Sequence, residues 1–304
     1  MERVRRYIHA DYAYKMGLSG KNVTIAVMDT GIVPHPDLKD RIVLFRDFCQ
    51  NRIGLYDDNG HGTHIAGILA GNGMQSILNK KGNYMGIAPK ARLISLKVLD
   101  AKGNGSTQNM LEAVDYLLRI RERFHIRILN ISVGMLPDAG KKEQLALLEA
   151  VERLWDAGIV VVAAAGNNGP KENTVTVPGI SRKIVTVGSC DDTEQATLKN
   201  GLESGYSGSG PTACCIVKPE ILAPGTNIIS CNKNMKGYTV KSGTSMAAPV
   251  VSGSIALLTE LHPDFTPQEI KLRLYERAYP RGRQIGKKCW GIVHVENLIR
   301  EGKW

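Results

Sequence analysis

Seven consecutive apolar residues, Ile159–Ala165, constrain this chain more than any other stretch. The run is too short for a typical helix and offers no alternate positions to water, so it reads as a central strand covered on both faces. Val23–Met28, Arg92–Val98 and Ile126–Ile131 are further apolar strands of similar length. Helical periodicity fills the intervals. A helix is expected from about Gln108 to Arg123, with Leu111, Val114, Leu117 and Leu118 on one face. Another is expected over Glu143–Ala157, where Leu145, Leu148, Val151, Leu154 and Trp155 recur and Gly158 stands where a C-terminal glycine belongs. Strands alternating with helices predict an α/β chain, a three-layer α/β/α sandwich with a mostly parallel central sheet. Such sheets bind ligands beyond the carboxyl ends of their strands, which is where Asp29, Ser132 and Asn167 fall.

The remaining segments fit one body. Met1–Gly20 is polar and rich in Tyr and Arg and reads as an arm, giving a division into residues 1–19 and a single domain over 20–304. No Pro/Ser-rich linker or repeat divides the rest, and 43% hydrophobic residues suffice for a large core. Val33-Pro34-His35-Pro36-Asp37 cannot be regular helix and is expected as a surface loop. From Thr63 a short buried helix (Ile65, Ala66, Ile68, Leu69) runs to Gly71 and Gly73, which sets His61 just before its start. Ile184–Val187 is a later strand, and Thr266-Pro267-Gln268-Glu269 opens a capped helix to about Ala278.

The charge of +10 is spread along the chain, with Lys80-Lys81, Lys141-Lys142 and Lys287-Lys288 only as pairs. No nucleic-acid motif accompanies it and no stretch reads as long enough to span a bilayer, so neither nucleic acid nor membrane is expected as a partner. Six cysteines (Cys49, Cys190, Cys214, Cys215, Cys231, Cys289) lack metal-type spacing, and Cys214 and Cys215 are adjacent. They read as free thiols of a reducing compartment, and no apolar signal segment follows Arg3, Arg5 and Arg6, so a cytoplasmic location is expected over that of a mature secreted fragment.

The chemistry concentrates in four blocks. Ser242-Gly243-Thr244-Ser245-Met246-Ala247-Ala248-Pro249 crowds small residues around one hydroxyl at a helix start, where unpaired N–H groups favour developing negative charge. Alone, it is as well explained by a helix cap. Ala26-Val27-Met28-Asp29-Thr30-Gly31 ends an apolar strand on an acid, and Asp57-Asp58-Asn59-Gly60-His61-Gly62-Thr63-His64 offers a histidine. Ala164-Ala165-Gly166-Asn167 ends the central strand on an amide. Asp29 alone could be a turn residue, His61 a loop histidine and Asn167 part of an Asn-Gly turn. A serine hydroxyl is a weak nucleophile that needs a base, and imidazole is the side chain suited to that near neutral pH. His61 and His64 with Asp57 or Asp58 also suggest a metal pair, but the spacing is not H-E-x-x-H and no third ligand is placed.

Asp29-Thr30-Gly31, His61-Gly62-Thr63-His64 and Gly243-Thr244-Ser245-Met246-Ala247-x-Pro249 resemble the three signature blocks of the subtilisin-like serine protease (subtilase) family, in family order. The resemblance runs from about Leu18 to about Ile299. It implies a serine endopeptidase with Ser245 as nucleophile, His61 as general base, Asp29 orienting the ring and Asn167 donating to the oxyanion. It implies that Gly103-Asn104-Gly105 and Ser132-Val133-Gly134 clamp an extended peptide or protein substrate. It also implies that Ala163, Ala164, Ala165, Gly166 and Thr176–Gly179 wall the pocket for the residue before the scissile bond (P1). Thr176 stands where several subtilases have glycine and Asn168 where some have glutamate, so a neutral, apolar P1 is expected. No cofactor is required for catalysis. The family often binds calcium between the histidine helix and the next strand, but 72–84 here holds no Asp or Glu and carries Lys80 and Lys81, so that loop is expected to be calcium-free, with calcium elsewhere left open. Residues 1–19 are too short for the family's pro-domain, so the chain is expected to be either a mature form or an intracellular-type subtilase, and the cysteines and the missing signal favour the second; Arg5–Tyr14 is a candidate inhibitory strap across the cleft. Two rivals use the same body: a catalytically silent homologue that binds peptides or regulates, and an esterase.

Overall fold

The computed structural model describes residues 1–135, 140–191, 205–212, 217–280 and 289–302. Two short helices, α1 (Glu2–Tyr7) and α2 (Asp11–Lys15), precede β1 (Thr24–Asp29) and β2 (Ile42–Asp47). Then come α3 (His61–Ala70), α4 (Met74–Leu78), β3 (Arg92–Lys97), α5 (Thr107–Phe124), β4 (Ile126–Ile131), α6 (Lys141–Asp156), β5 (Val160–Ala164) and β6 (Val185–Ser189). After β7 (Ile221–Ala223), a hairpin of β8 (Ile228–Cys231) and β9 (Tyr238–Lys241) leads into α7 (Thr244–Leu261) and α8 (Pro267–Arg277). The last elements are β10 (Gly291–Ile292) and α9 (Val295–Ile299).

Among the described residues, eight strands form one sheet in the order β10-β7-β6-β5-β4-β1-β3-β2, and every neighbouring pair is parallel. Both β1 and β5 are buried at every residue, as strands covered on two faces must be. Helices α3 and α7 pack on each other, α3 against β1 and α7 against β4, β5 and β6; α5 and α6 pack on each other, α5 against β1 and β4 and α6 against β5. The three-layer α/β/α arrangement is therefore the observed one. Strand β1 lies between β3 and β4, so the chain reverses its direction of travel across the sheet there, and a crevice opens beyond the carboxyl ends of β1 and β4.

Several local expectations change. Helix α6 buries Gln144, Leu147, Ala150, Val151, Leu154 and Trp155 and leaves Leu145 59% exposed. The apolar stripe is wider than one face, and packing chose its other edge. Helix α5 likewise buries Met110, Ala113, Val114 and Leu117, with Leu111 and Leu118 at the boundary. The loop after β1 is not wholly superficial: Pro34 and Pro36 are exposed while His35 and Asp37 between them are buried. Helix α7 is long and apolar enough to cross a bilayer by length and composition, against expectation, but 83% of it is buried inside this protein.

Residues 1–19 do not strap the cleft. Val4, Ile8, Ala10 and Ala13 are buried in the same core as the sheet. The Arg5 guanidinium, itself 4% exposed, donates to the carbonyls of Asn83 and Met85, and the Tyr14 hydroxyl donates to the Ile87 carbonyl at 2.8 Å. The segment lies against the far end of α3, whose carbonyls at Ile68, Leu69 and Gly71 accept from Ile87, Ala88 and Gly86. Cys49, Cys231 and Cys289 are free thiols and Cys190 is buried; Cys214, Cys215 and the Lys287-Lys288 pair lie outside the described residues.

Candidate active site

Asp29 is the last residue of β1 and is 1% exposed on its side chain. His61 is the first residue of α3 rather than the residue before it, because Gly60 caps the helix in a left-handed conformation (φ 97°). A side chain at Gly62 would overlap the Gly31 carbonyl and press on Asp29, so glycine there lets the first turn of α3 lie on the end of β1. The His61 Nδ1 then stands 2.8 and 2.9 Å from the two Asp29 carboxylate oxygens.

Asp57 locks this junction, a role its sequence neighbourhood did not reveal. One of its oxygens accepts from the Gly60 amide (2.7 Å) and the Thr30 hydroxyl (2.8 Å), the other from the Thr63 amide (2.9 Å) and hydroxyl (2.7 Å). Burial opposes ionisation of Asp57, but these four donors outweigh it and hold the carboxyl below its ordinary range. Its negative charge also suits a helix N-terminus. The Thr30 hydroxyl accepts from the Gly62 amide at 2.9 Å, so the turn after β1 and the start of α3 are one bonded unit. Beneath it, Lys97 is wholly buried and donates to the carbonyls of Thr30 and Leu99 and to the Asp58 carboxylate, each at 2.7 Å. Asp57 and Asp58 are thus both committed. His64, fully buried, aims Nε2 at the carbonyls of Ile228 (3.1 Å) and Thr239 (3.2 Å), away from His61's partner. The metal pair suggested by the sequence is not assembled.

Ser245 is the second residue of α7, at the carboxyl-end side of the sheet. Its Oγ donates to the Ser132 carbonyl at 2.9 Å, and the Ser132 Oγ donates back to the Ser245 carbonyl at 3.2 Å. Asn167 lies three residues beyond β5. Its Oδ1 accepts from the Thr244 amide (2.9 Å) and hydroxyl (3.1 Å), which turns the Nδ2 group outward. Gly243 (φ 142°) lets the chain pass this amide, since a Cβ there would lie 3.1 Å from Nδ2.

One cleft of about 410 Å³ gathers these groups. Its lining includes His61, Ser245 and Asn167 with Thr30, Asn59 and Leu99. Of the expected substrate contacts, Gly103, Ser132, Val133, Gly134, Gly166 and Thr176 line it. Asn104 and Gly105 do not; they belong to the exposed loop above it, where Asp100 accepts from the amides of Asn104 (2.8 Å) and Lys102 (2.9 Å) and is held below its ordinary pKa by these bonds. Ala165 is fully buried, so the wall is formed by Ala164 and Gly166 instead. Side chains alternate along the strand, and the expectation had included both faces. Asn59, unremarked in the sequence, bridges the two rims: it accepts from the His61 amide at 3.2 Å and donates to the Ala101 carbonyl at 3.0 Å. The Thr176 side chain lies so close to Gly134 and Gly166 that a methyl group on either would overlap it.

Comparison with known proteins places these features in context. The family model described as the subtilase family matches residues 20–291. The serine protease AprX of Bacillus subtilis (strain 168) is 42% identical, over 96% of this chain and 70% of its own. Subtilisin DY of Bacillus licheniformis is 31% identical over 95% of both chains. Among solved structures, a cold-adapted subtilisin-like serine proteinase superposes with a TM-score of 0.73 at 28% identity, covering 91% of this chain and 90% of that one.

Proposed function

The chain belongs to the subtilase family and is a serine endopeptidase acting on peptide or protein substrates, and from this we propose that it cleaves through an acyl-enzyme on Ser245. His61 is the general base, Asp29 its orienting partner and Asn167 the side-chain donor of the oxyanion hole. The observation that carries this reading is the pairing of His61 Nδ1 with both oxygens of buried Asp29. That pairing places the ring proton on Nδ1 and leaves Nε2 bare, in the same cleft as Ser245.

An extended peptide needs the Ser132 carbonyl as an acceptor for its own N–H, so binding displaces the Ser245 hydroxyl from it. The hydroxyl turns to Nε2 and gives up its proton as Oγ attacks the scissile carbonyl. The tetrahedral oxygen takes hydrogen bonds from Asn167 Nδ2 and from the Ser245 amide, one of the amides without an acceptor in the first turn of α7. Collapse breaks the C–N bond, His61 returns the proton to the leaving amine, and water hydrolyses the ester by the reverse sequence. A serine-directed fluorophosphonate tests this. Intact mass shows one adduct on the native chain and none on Ser245→Ala; an adduct on both, or on neither, overturns it.

Thr176 fills the space between Gly134 and Gly166, and Asn168 on the cleft wall carries no charge. Both support a shallow P1 pocket for neutral, apolar side chains. A kcat/KM series across P1 residues that favours Lys or Arg breaks this assignment.

The 72–84 loop does not suit calcium. It has no carboxylate, and the nearby carbonyls of Asn83 and Met85 are already engaged by the Arg5 guanidinium, a cation the protein supplies itself. Catalysis by the groups named above needs no cofactor.

A further inference from the structure

Pro249 lies in the second turn of α7. Having no N–H, it cannot serve the carbonyl four residues earlier, which is that of Ser245. The residue read above as the nucleophile therefore lacks its helical hydrogen bond. The bond is supplied from outside the helix, by the Ser132 hydroxyl at 3.2 Å.

That hydroxyl is the end of an oriented chain. The Ser252 hydroxyl donates to Asn130 Oδ1 at 2.9 Å, and Asn130 Nδ2 donates to Ser132 Oγ at 2.9 Å. Asn130 and Ser252 have no exposure and Ser132 has 4%. The geometry follows from two periodicities. Asn130 and Ser132, two apart in extended chain, share one face; Ser245 and Ser252, seven apart, share one face of α7. Two other buried hydroxyls further along α7 behave differently. Ser254 and Thr259 bond back to the carbonyls of Val250 and Ile255 in their own helix, whereas Ser252 spends its proton on β4.

Polarity gives the chain its function. A hydroxyl has one proton, and Ser132 directs its own to Ser245 only while its oxygen receives a hydrogen from Asn130. Were the Asn130 amide reversed, Oδ1 would face Ser132 and draw that proton away. The hydrogen donated by Ser252 holds Oδ1 on the far side. We propose that Ser252, Asn130 and Ser132 are positioning residues that replace the helical hydrogen bond removed by Pro249 and so fix the first turn of α7 from which Ser245 is aimed. The inference rests on Ser245 being the nucleophile. Native chain beside Ser245→Ala decides that first, because an adduct on both, or on neither, removes the premise before any positioning variant is compared.

The test is the second-order rate constant of fluorophosphonate labelling, read beside kcat and KM on a peptide ester and the thermal midpoint. Ser132→Ala lowers the labelling rate and kcat about tenfold with KM changed less than about twofold, since the substrate-facing carbonyl is main chain. Ser252→Ala lowers the same two constants by a smaller factor, and Ser132→Thr, which keeps the hydroxyl, restores them. Asn130→Asp, near in shape but unable to donate, matches Ser132→Ala; if it does not fold, the two serine variants carry the test. Pro249→Ala restores an N–H at position 249, so in that background Ser132→Ala costs less than about threefold. Equal penalties in the two backgrounds, labelling of Ser132→Ala at the native rate, or losses that follow the thermal midpoint alone overturn the proposal.

Discussion

The two ends of α3 do opposite jobs with opposite chemistry. At its first turn, Asp29, Thr30, Asp57 and His61 form a polar knot in which nearly every donor and acceptor has a named partner. At its last turn and the residue after it, the carbonyls of Ile68, Leu69 and Gly71 hold the 86–88 segment, whose Ile87 carbonyl Tyr14 also holds, while Arg5 holds the carbonyls of Asn83 and Met85 just before it. The first end is built to present groups to a cleft, the second to fix the helix in the body. Function at one end should therefore respond to side-chain chemistry, and at the other to stability alone.

The sharpest test of this division is on the cleft side. Asn167→Ala lowers kcat by about 10²–10³, or roughly 3–4 kcal/mol of barrier, with a small change in KM; that magnitude comes from subtilisin's own oxyanion asparagine rather than from this chain. Steady-state kinetics beside an unchanged denaturant midpoint would confirm that the loss is chemical.

On the body side, Arg5→Met leaves the half-buried carbonyls of Asn83 and Met85 without their charged donor and costs about 1–3 kcal/mol of stability. It leaves kcat/KM within about twofold, and calcium raises the native denaturant midpoint by nothing measurable through this loop. A tight calcium isotherm mapped to 72–84, or a large kcat loss in Arg5→Met, would break the comparison.

Smaller still is the effect of His64, which lies between the two ends. Burial lowers its pKa from 6.5 to about 3. Below pH 6.5 the unfolded chain takes a proton that the folded chain refuses, so this contribution is intact above 6.5 and declines as pH falls toward 3, at no more than about 1.4 kcal/mol per pH unit. Asp57, whose pKa is depressed below 3.8, adds to the slope only below that value. Denaturant midpoints between pH 7 and 5 should fall for the native chain and fall less for His64→Gln. Buried His35, also lowered by burial, keeps the residual slope above zero.

The same contrast explains what the sequence discloses. The meeting of Asp29 with His61, and of His61, Asn167 and Ser245 in one cleft, was legible because these residues stand in short, glycine-marked blocks. The sheet was legible because strands covered on both faces must be apolar throughout, as in Ile159–Ala165. Arg5 and Tyr14 were not, because their partners are carbonyls more than sixty residues away, and a carbonyl has no residue signature. Asp57 and Asn130 were hidden for a related reason: an acid or amide spelled into a loop or strand does not say which donors will surround it. Ala165 was misplaced by one step of alternation, and the inhibitory strap by reading polar letters without the four apolar ones, Val4, Ile8, Ala10 and Ala13, that bury.

The bond from the Val295 amide to the Ile8 carbonyl joins segments near opposite ends of the described chain. On a ribosome, α1 and α2 emerge long before α9, yet the surface that receives them includes α9. Until then their apolar residues have no complete site to enter, and the closing of this contact belongs to a late, high-contact-order stage of assembly. Chains interrupted before residue 295 should expose this apolar edge to chaperones and proteases, including active copies of the same enzyme.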